Sequence, residues 1–269
     1  LNRKFSASKS PTFHILTVSA NLEEHTMDKE ILKRIKSTYP GKDLVVHQST
    51  PVLSFGDFQN AGIFTLGINP SNLEFVDKKG ELLKNKLRRL QTLSSLKASD
   101  CTSLSQKQSM KVFDGCIDYF NRRPYNWFDK FGPILEAIGH SFYSPPFAAH
   151  VDLVQWATKA KWGKISSGEQ KMLIQEGRSF LEYQLQSENV HTILLNGRTV
   201  INAFHDWSNV KLEYSSLNIP KGGELVTGFY DNRIRIIGWS VNIQSSWGVT
   251  SEDISKLALI VRNNTHKKI

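Results

Sequence analysis

The chain has 269 residues, 39% of them hydrophobic, and a formal net charge of +9. That length and apolar fraction provide a sizeable core for one large α/β domain, no apolar run reaches the length of a membrane span, and the cationic excess favours a polyanionic partner. Two cysteines, Cys101 and Cys116, argue against a disulfide scaffold and suit a reducing cytoplasm. No Cys/His spacing suits zinc or an iron–sulfur cluster, so no metal or cofactor is expected.

Taken in chain order, residues 1–12 read as a loose basic arm with no apolar leader behind it. Asp28–Tyr39 has helical apolar spacing at Ile31, Leu32 and Ile35, and Pro40-Gly41 ends it. Leu44-Val45-Val46 reads as a short strand and Gly62–Leu66 as the first central strand. Leu82–Leu96 spaces leucines among Lys84, Lys86, Arg88 and Arg89, which predicts an amphipathic helix with a basic face. Ser109–Asn121 and Trp127–Gly139 read as two further helices, and Val151–Val154 as a second central strand. Glu169–Ser187 is a long helix and Val190–Leu195 a third strand, ended by Asn196-Gly197-Arg198. A helix begins at Thr199–Phe204, Gly222-Gly223 is a turn, and Arg233–Val241 alternates as a fourth strand. Ser251–Val261 closes the chain as a helix capped by Ser251, with Glu252 and Asp253 in its first turn.

Strands alternating with helices predict an α/β fold: a central, mostly parallel, four-stranded sheet flanked by helices on both faces. Residues 1–43 form an arm and helix packed on a single domain of residues 44–269. Four strands end in polar residues: Asn69, Asp152, Asn196-Gly197-Arg198 and Asn242. In open α/β sheets that edge is where ligands bind.

Gly67-Ile68-Asn69-Pro70-Ser71 follows the first strand as a sharp turn that leaves an amide at the strand end. It resembles the first active-site motif of the uracil-DNA glycosylase superfamily, closest to its mismatch-specific and single-strand-selective branches. The resemblance spans roughly residues 44–262. Trp239–Trp247 stands where that family's last-strand loop carries a His or Asn followed by Pro-Ser; here the loop departs to Asn242-Ile243-Gln244-Ser245. Asp152 stands where relatives carry a base-reading Asn.

The resemblance implies a monofunctional DNA glycosylase acting on a flipped pyrimidine. Asn69 would position water beneath the sugar, and Asn242 or nearby backbone N–H groups would donate to the base O2 as charge develops. Gly67, Ser71, Asp152, Phe75 and Phe147 would form the base pocket. An ionised Asp152 accepts from a cytosine N4 amine but cannot donate to a uracil O4. Ser71 is small where uracil-strict relatives carry Tyr, which leaves room at C5. Together these point to a 5-modified cytosine, hydroxymethylated or glucosylated, of the kind phage DNA carries, as the target of a defence enzyme. Gln244, Ser245, Ser246 and Trp247 would meet the duplex, with Trp247 as a wedge, and Lys159, Lys161, Arg198, Arg88 and Arg89 would contact phosphates.

Uracil or mismatched-thymine excision in repair is the alternative substrate reading. A nucleoside or nucleotide hydrolase and a catalytically degenerate DNA-binding module are the other classes, the second kept open by the altered Asn242–Ser245 loop. Each residue also has an ordinary reading: Asn69 and Asn242 as turn residues, Asp152 as a carboxylate paired with His150 or a Lys, Phe75, Phe147 and Trp247 as packing. A monomer in the cytoplasm, at the nucleoid and apart from membranes, is expected.

Overall fold

The computed structural model describes residues 27–41, 43–244 and 248–265. The proposed arm over residues 1–12 and the loop residues Ser245, Ser246 and Trp247 lie outside the described residues. The first described element, α1 (Lys29–Ile35), begins where the Asp28 carboxylate accepts from the Glu30 and Ile31 amides. It buries Ile31 and Ile35 and is pinned to α5 (Ser167–Leu185) by Arg34, whose two terminal nitrogens reach Glu176 Oε1 at 2.5 Å and Oε2 at 2.9 Å.

Strand β1 (Ile63–Gly67) leads through one-turn α2 (Leu93–Leu96), α3 (Gln106–Ile117) and α4 (Gly132–Ala137) to β2 (Ala148–Asp152). Then follow α5, β3 (Thr192–Asn196), α6 (Arg198–Ser208), β4 (Leu212–Ser216), β5 (Glu224–Tyr230), β6 (Ile234–Trp239) and α7 (Ser251–Thr265). The sheet has six strands in the order β2-β1-β3-β6-β5-β4, so the expected four strands are a correct contiguous group running from one edge but an incomplete sheet. Those four are parallel, whereas β5 and β4 are added antiparallel at one edge. The β5–β6 turn carries Asp231 and Asn232 at φ 50° and 51°, the left-handed conformation that Asp and Asn tolerate. The outermost strand, β4, is half-buried at Leu212 and exposed from Glu213 to Ser216, so it lacks the apolar signature of a central strand.

Three other expectations fail for local reasons. The predicted helix over Leu82–Leu96 is mostly extended loop with a 3-10 turn at Asn85–Leu87 and a single α-turn at Leu93–Leu96. Asn85 sits at φ 50°, and Thr92 starts a new turn through a reciprocal cap with Ser95. The leucine spacing is used by a loop that drops Leu90, Leu93 and Leu96 into the core while Leu87 stays exposed. Leu44–Val46 contributes only a bridge between Val45 and Thr158. The last helix is capped by Thr250 rather than Ser251: Thr250 Oγ1 accepts from the Asp253 amide, and Asp253 Oδ2 accepts from the Thr250 amide.

Right-handed crossovers between parallel strands carry the β1–β2 connection to one face of the sheet and α5 and α6 to the other. In accord with this, α4 packs on α7, while α5 and α6 line one groove. The connections leaving β1 and β3 therefore diverge to opposite faces, and a crevice opens at their carboxyl ends. Among the described residues no helix is long and apolar enough to cross a membrane.

Candidate functional site

The crevice rim is built from the ends of the four parallel strands. Asp152 ends β2, opposite Gly67 of β1; Asn196 ends β3, opposite Trp239 of β6. From β2 to β6 is three inter-strand steps, roughly 14 Å, wide enough for a flat base and its sugar.

On the β1 side, the chain leaves Gly67 and is held against the segment after β2: the Leu153 amide donates to the Gly67 carbonyl (3.1 Å) and the Val154 amide to the Ile68 carbonyl (2.9 Å). This clamp presents Asn69 half-buried. Its Nδ2 donates to the Pro70 carbonyl (2.9 Å) and to Thr158 Oγ1 (3.0 Å). Both bonds use the NH2 group, which leaves Oδ1 as the outward acceptor. Such an amide can orient a water molecule but is too weak a base to deprotonate it outright.

Asp152 is 3% exposed, and its Oδ1 has no hydrogen-bond partner. The nearest cation-forming group is His150 Nε2, at 3.5 Å, longer than a hydrogen bond. His150 is itself fixed by Thr65 Oγ1 at 2.8 Å from Nδ1 and walled by Phe55, Trp127 and Phe128, with ring centroids 5.3–5.7 Å away. The space for this carboxylate comes from Gly67, where a Cβ would stand 2.3 Å from Asp152 Oδ1 and 2.7 Å from His150 Nε2. Gly67 therefore serves the site by having no side chain.

On the β3–β6 side, Asn196 is the organiser. Its Oδ1 accepts from Trp239 Nε1 (2.8 Å) and the Ile243 amide (3.1 Å), while its Nδ2 donates to Asn242 Oδ1 (3.2 Å) and to Gln244 Oε1. Asn242 Oδ1 also accepts from the Gln244 amide at 3.0 Å. The Asn242 oxygen is thus tied inward and its NH2 group is left to donate outward. The approach of this loop requires Gly197, at φ +95°, where a Cβ would meet Asn242 Cβ at 3.2 Å. Sequence reading marked Asn196 as a polar strand end but gave it no role; its position opposite Trp239 is what no local pattern reveals.

The remaining candidates divide. Ser71 is exposed, and its Oγ accepts from the Leu73 amide, so it caps the 3-10 turn Asn72–Glu74. Phe75 follows that turn fully buried, a packing residue in this state. Phe147 precedes β2 at the amino end of the sheet, five residues and about 16 Å of strand from Asp152, so it cannot share a pocket with it. Arg89 is committed: its Nη1 donates to the Leu73 carbonyl (2.7 Å) and its guanidinium lies over Tyr125 at 5.2 Å. Arg88 is half-buried in the same loop. Arg198 pairs with Glu224. Lys159 and Lys161 are exposed just beyond Thr158, with Lys159 Nζ 3.7 Å from Asp43. Trp127, half-buried beside His150, is a rim aromatic that sequence reading took only as part of a helix.

Glu74 is the residue sequence reading missed altogether. It lies in the turn that Ser71 caps, is 2% exposed, and its Oε2 accepts from the Tyr119 hydroxyl at 2.7 Å. Burial pushes its carboxyl up to about 7; Tyr119 and Arg89 oppose that shift and the Asp152 charge adds to it. A groove of about 790 Å³ lies elsewhere, between α5 and α6, and touches the rim only through Arg198 and Thr199. Among the described residues no group of three or more His, Cys, Asp or Glu side chains could hold a metal ion. No protein-family model matches this chain, and no curated protein matches it either.

Proposed function

We propose that this protein is a DNA glycosylase of the uracil-DNA glycosylase type, hydrolysing the N-glycosidic bond of a flipped pyrimidine and leaving an abasic site. The observation that carries the reading is the complementary tethering of three side chains on one rim. Asn69 has its NH2 tied back and its oxygen outward, as a water-orienting group needs. Asn242 has its oxygen tied back and its NH2 outward, as a donor to a base O2 needs. Asp152 lies across the crevice with a buried oxygen that has no hydrogen-bond donor.

That unpaired oxygen is the argument for a cytosine-type base. A buried acceptor without a donor costs about 1–3 kcal/mol, which an N4 amine would recover on binding. A uracil O4 at the same point would meet a second acceptor. The exposed Ser71 at the turn start leaves the C5 side open, so the preferred substrate is a 5-hydroxymethylated or glucosylated cytosine in duplex DNA. The Asp152 oxygen is covered in this state, with Gly67 and His150 beside it, so admitting a base requires local rearrangement there.

Duplexes bearing hydroxymethylcytosine, glucosylated hydroxymethylcytosine, uracil, mismatched thymine or plain cytosine, followed by alkali cleavage, test this. Abasic sites are expected on the modified cytosines. Cleavage only of uracil or mismatched-thymine duplexes would replace the substrate class while keeping the chemistry. Binding without cleavage of any duplex would leave a non-catalytic DNA-binding module, with Asp152 a structural partner of His150.

A further inference from the structure

We propose that the groove between α5 and α6 is a second nucleic-acid site, holding single-stranded DNA where it runs off the rim. The inference rests on DNA as the partner of the rim, but not on hydrolysis of a glycosidic bond.

The two helices start at the carboxyl edge of the sheet, since α5 follows β2 and α6 follows β3. The groove between them therefore opens on the rim, at Arg198 and Thr199, directly after Asn196 and Gly197. From Thr199 to Trp207 it runs about 12 Å along α6, at about 1.5 Å per residue. That is the length of roughly three stacked nucleotides at about 3.4 Å each.

Three observations of different kinds make the groove a ligand site. First, its rim end can seat an anion. Gly197 is the N-cap of α6 and no side chain caps it, so the first-turn amides of Thr199 and Val200 are left to a ligand. Lys171 lines the same groove from the start of α5, exposed and without an ion pair among the described residues. The other lining cations are partly answered, Arg178 by Glu182 and Arg198 by Glu224.

Second, its far end holds an unanswered donor. Trp207 is 5% exposed, and its indole Nε1–H is buried with no hydrogen-bond partner. The ring itself is engaged, by Tyr230 stacked at 5.8 Å and by the Arg178 guanidinium at 5.8 Å, so the N–H is what it can offer. Between the two ends stand amides. Asn202 is exposed and its side chain makes no hydrogen bond among the described residues. Gln170 spends Nε2 on the Trp162 and Ile165 carbonyls, which leaves Oε1 as an acceptor. Third, the half-buried Trp162 lines the groove, and its ring stacks on no other aromatic among the described residues. Cations beside an open aromatic face are how single strands are held. An acidic peptide would answer the cations, but an unstacked indole beside free amides and a buried donor matches the faces and edges of bases.

The test uses the full chain and fluorescence anisotropy with labelled probes: an oligothymidine of about twelve nucleotides, a blunt duplex, and that duplex with a single-stranded extension. The oligothymidine is expected to bind, and the extended duplex to bind more tightly than the blunt one. Lys171→Glu is expected to weaken oligothymidine binding about tenfold, to cost the blunt duplex less, and to abolish the gain from the extension. Lys256→Glu makes the same charge change on α7, on the other face of the sheet, and should leave oligothymidine affinity within about twofold. Trp207→Phe keeps a ring against Tyr230 but lacks the N–H, and should weaken the oligothymidine about threefold or more. Should that variant fail to fold, Asn202→Leu, at an exposed position, is expected to give a loss of the same order.

No binding of oligothymidine, no gain from an extension at either end, equal losses in Lys171→Glu and Lys256→Glu, or full affinity in Trp207→Phe would each overturn the proposal. Displacement of the oligothymidine by polyglutamate at equal charge would overturn it in favour of an acidic protein partner. The glycosylase reading fails separately, by absence of excision from every duplex, and the Lys171 dependence of single-strand binding is decided without it.

Discussion

The two sides of the rim are held by different means. On the β1–β2 side, main chain does the holding: the Leu153 and Val154 amides clamp the Gly67–Ile68 turn, and the bare Cα of Gly67 admits Asp152. Hydrogen bonding there is left incomplete at Asp152 Oδ1, and Glu74 lies buried with a carboxyl pushed toward neutrality. On the β3–β6 side, one side chain does the holding. Asn196 spends both ends of its amide on Trp239, Ile243, Asn242 and Gln244. A side that stores unpaired polarity is suited to chemistry, and a side that satisfies it is suited to shape. Substitutions on the first should therefore change activity more than stability, and the reverse should hold for the organiser of the second, Asn196, but not for Asn242 at its outer end.

Asn69→Ala gives the largest expected effect on activity, a loss of roughly 10²–10⁴-fold in single-turnover excision, since it removes the group that orients the nucleophile. Thermal melting should barely move, because Asn69 is half-buried and bonds only to Pro70 and Thr158. A large melting shift would place Asn69 with the structural side and break the comparison. Asn196→Leu should do the opposite. It orphans the Trp239 indole N–H and the Ile243 amide, at about 1–3 kcal/mol each, and so lowers the urea midpoint substantially. Asn242→Ala, which keeps the Asn196–Trp239 bond, should spare stability and cost about 3 kcal/mol in the transition state.

Glu74→Gln sharpens the contrast through pH. The folded protein holds the Glu74 proton up to about 7, against an ordinary value of 4.5. Below that ordinary value both folded and unfolded chains are protonated, and the substitution changes little. As pH rises toward 7 the unfolded chain releases the proton and the folded chain keeps it, so wild type loses stability relative to the variant. Above that window the difference should level off at about 3 kcal/mol in favour of Gln, read from denaturation midpoints at a series of pH values. A difference independent of pH would mean that Glu74 is not the buried acid.

Those residues also mark how far the chain could be read without its fold. The four parallel strands were legible because buried strands write continuous apolar runs, and the ends of those runs located Asn69, Asp152, Asn196 and Asn242. The β4–β5 edge was not, since β4 is mostly exposed and β5 joins β6 through the turn at Asp231-Asn232. The Leu82–Leu96 segment misled because helical leucine spacing also fits a loop that buries every third or fourth residue. Glu74 was invisible because nothing local distinguishes a buried Glu from a solvated one; its burial comes from Tyr119, forty-five positions away. Phe147 was misjudged through register: β2 begins three residues earlier than its apolar run suggested, which leaves Phe147 at the far end of the sheet.

The smallest effects concern the cations on either side of the rim, and here the two sides differ again. Arg198, on the β3 side, is partly exposed and paired with an equally exposed Glu224, so Arg198→Ala should change stability by only about 0.2–1 kcal/mol. Its charge is already answered, and the same substitution should reduce the salt dependence of DNA binding by less than one phosphate contact. Lys161, on the Asn69 side, is exposed and has no ion pair among the described residues. Lys161→Ala should lower the slope of log affinity against log salt by about 0.9, the value for one phosphate contact. Glu224→Gln discriminates between the two. It releases Arg198 without removing a cation, so if the β3 side faces the backbone, binding should tighten and the slope should steepen by up to about one contact. No change on Glu224→Gln, with the full loss on Lys161→Ala, would assign the duplex to the Asn69 side alone.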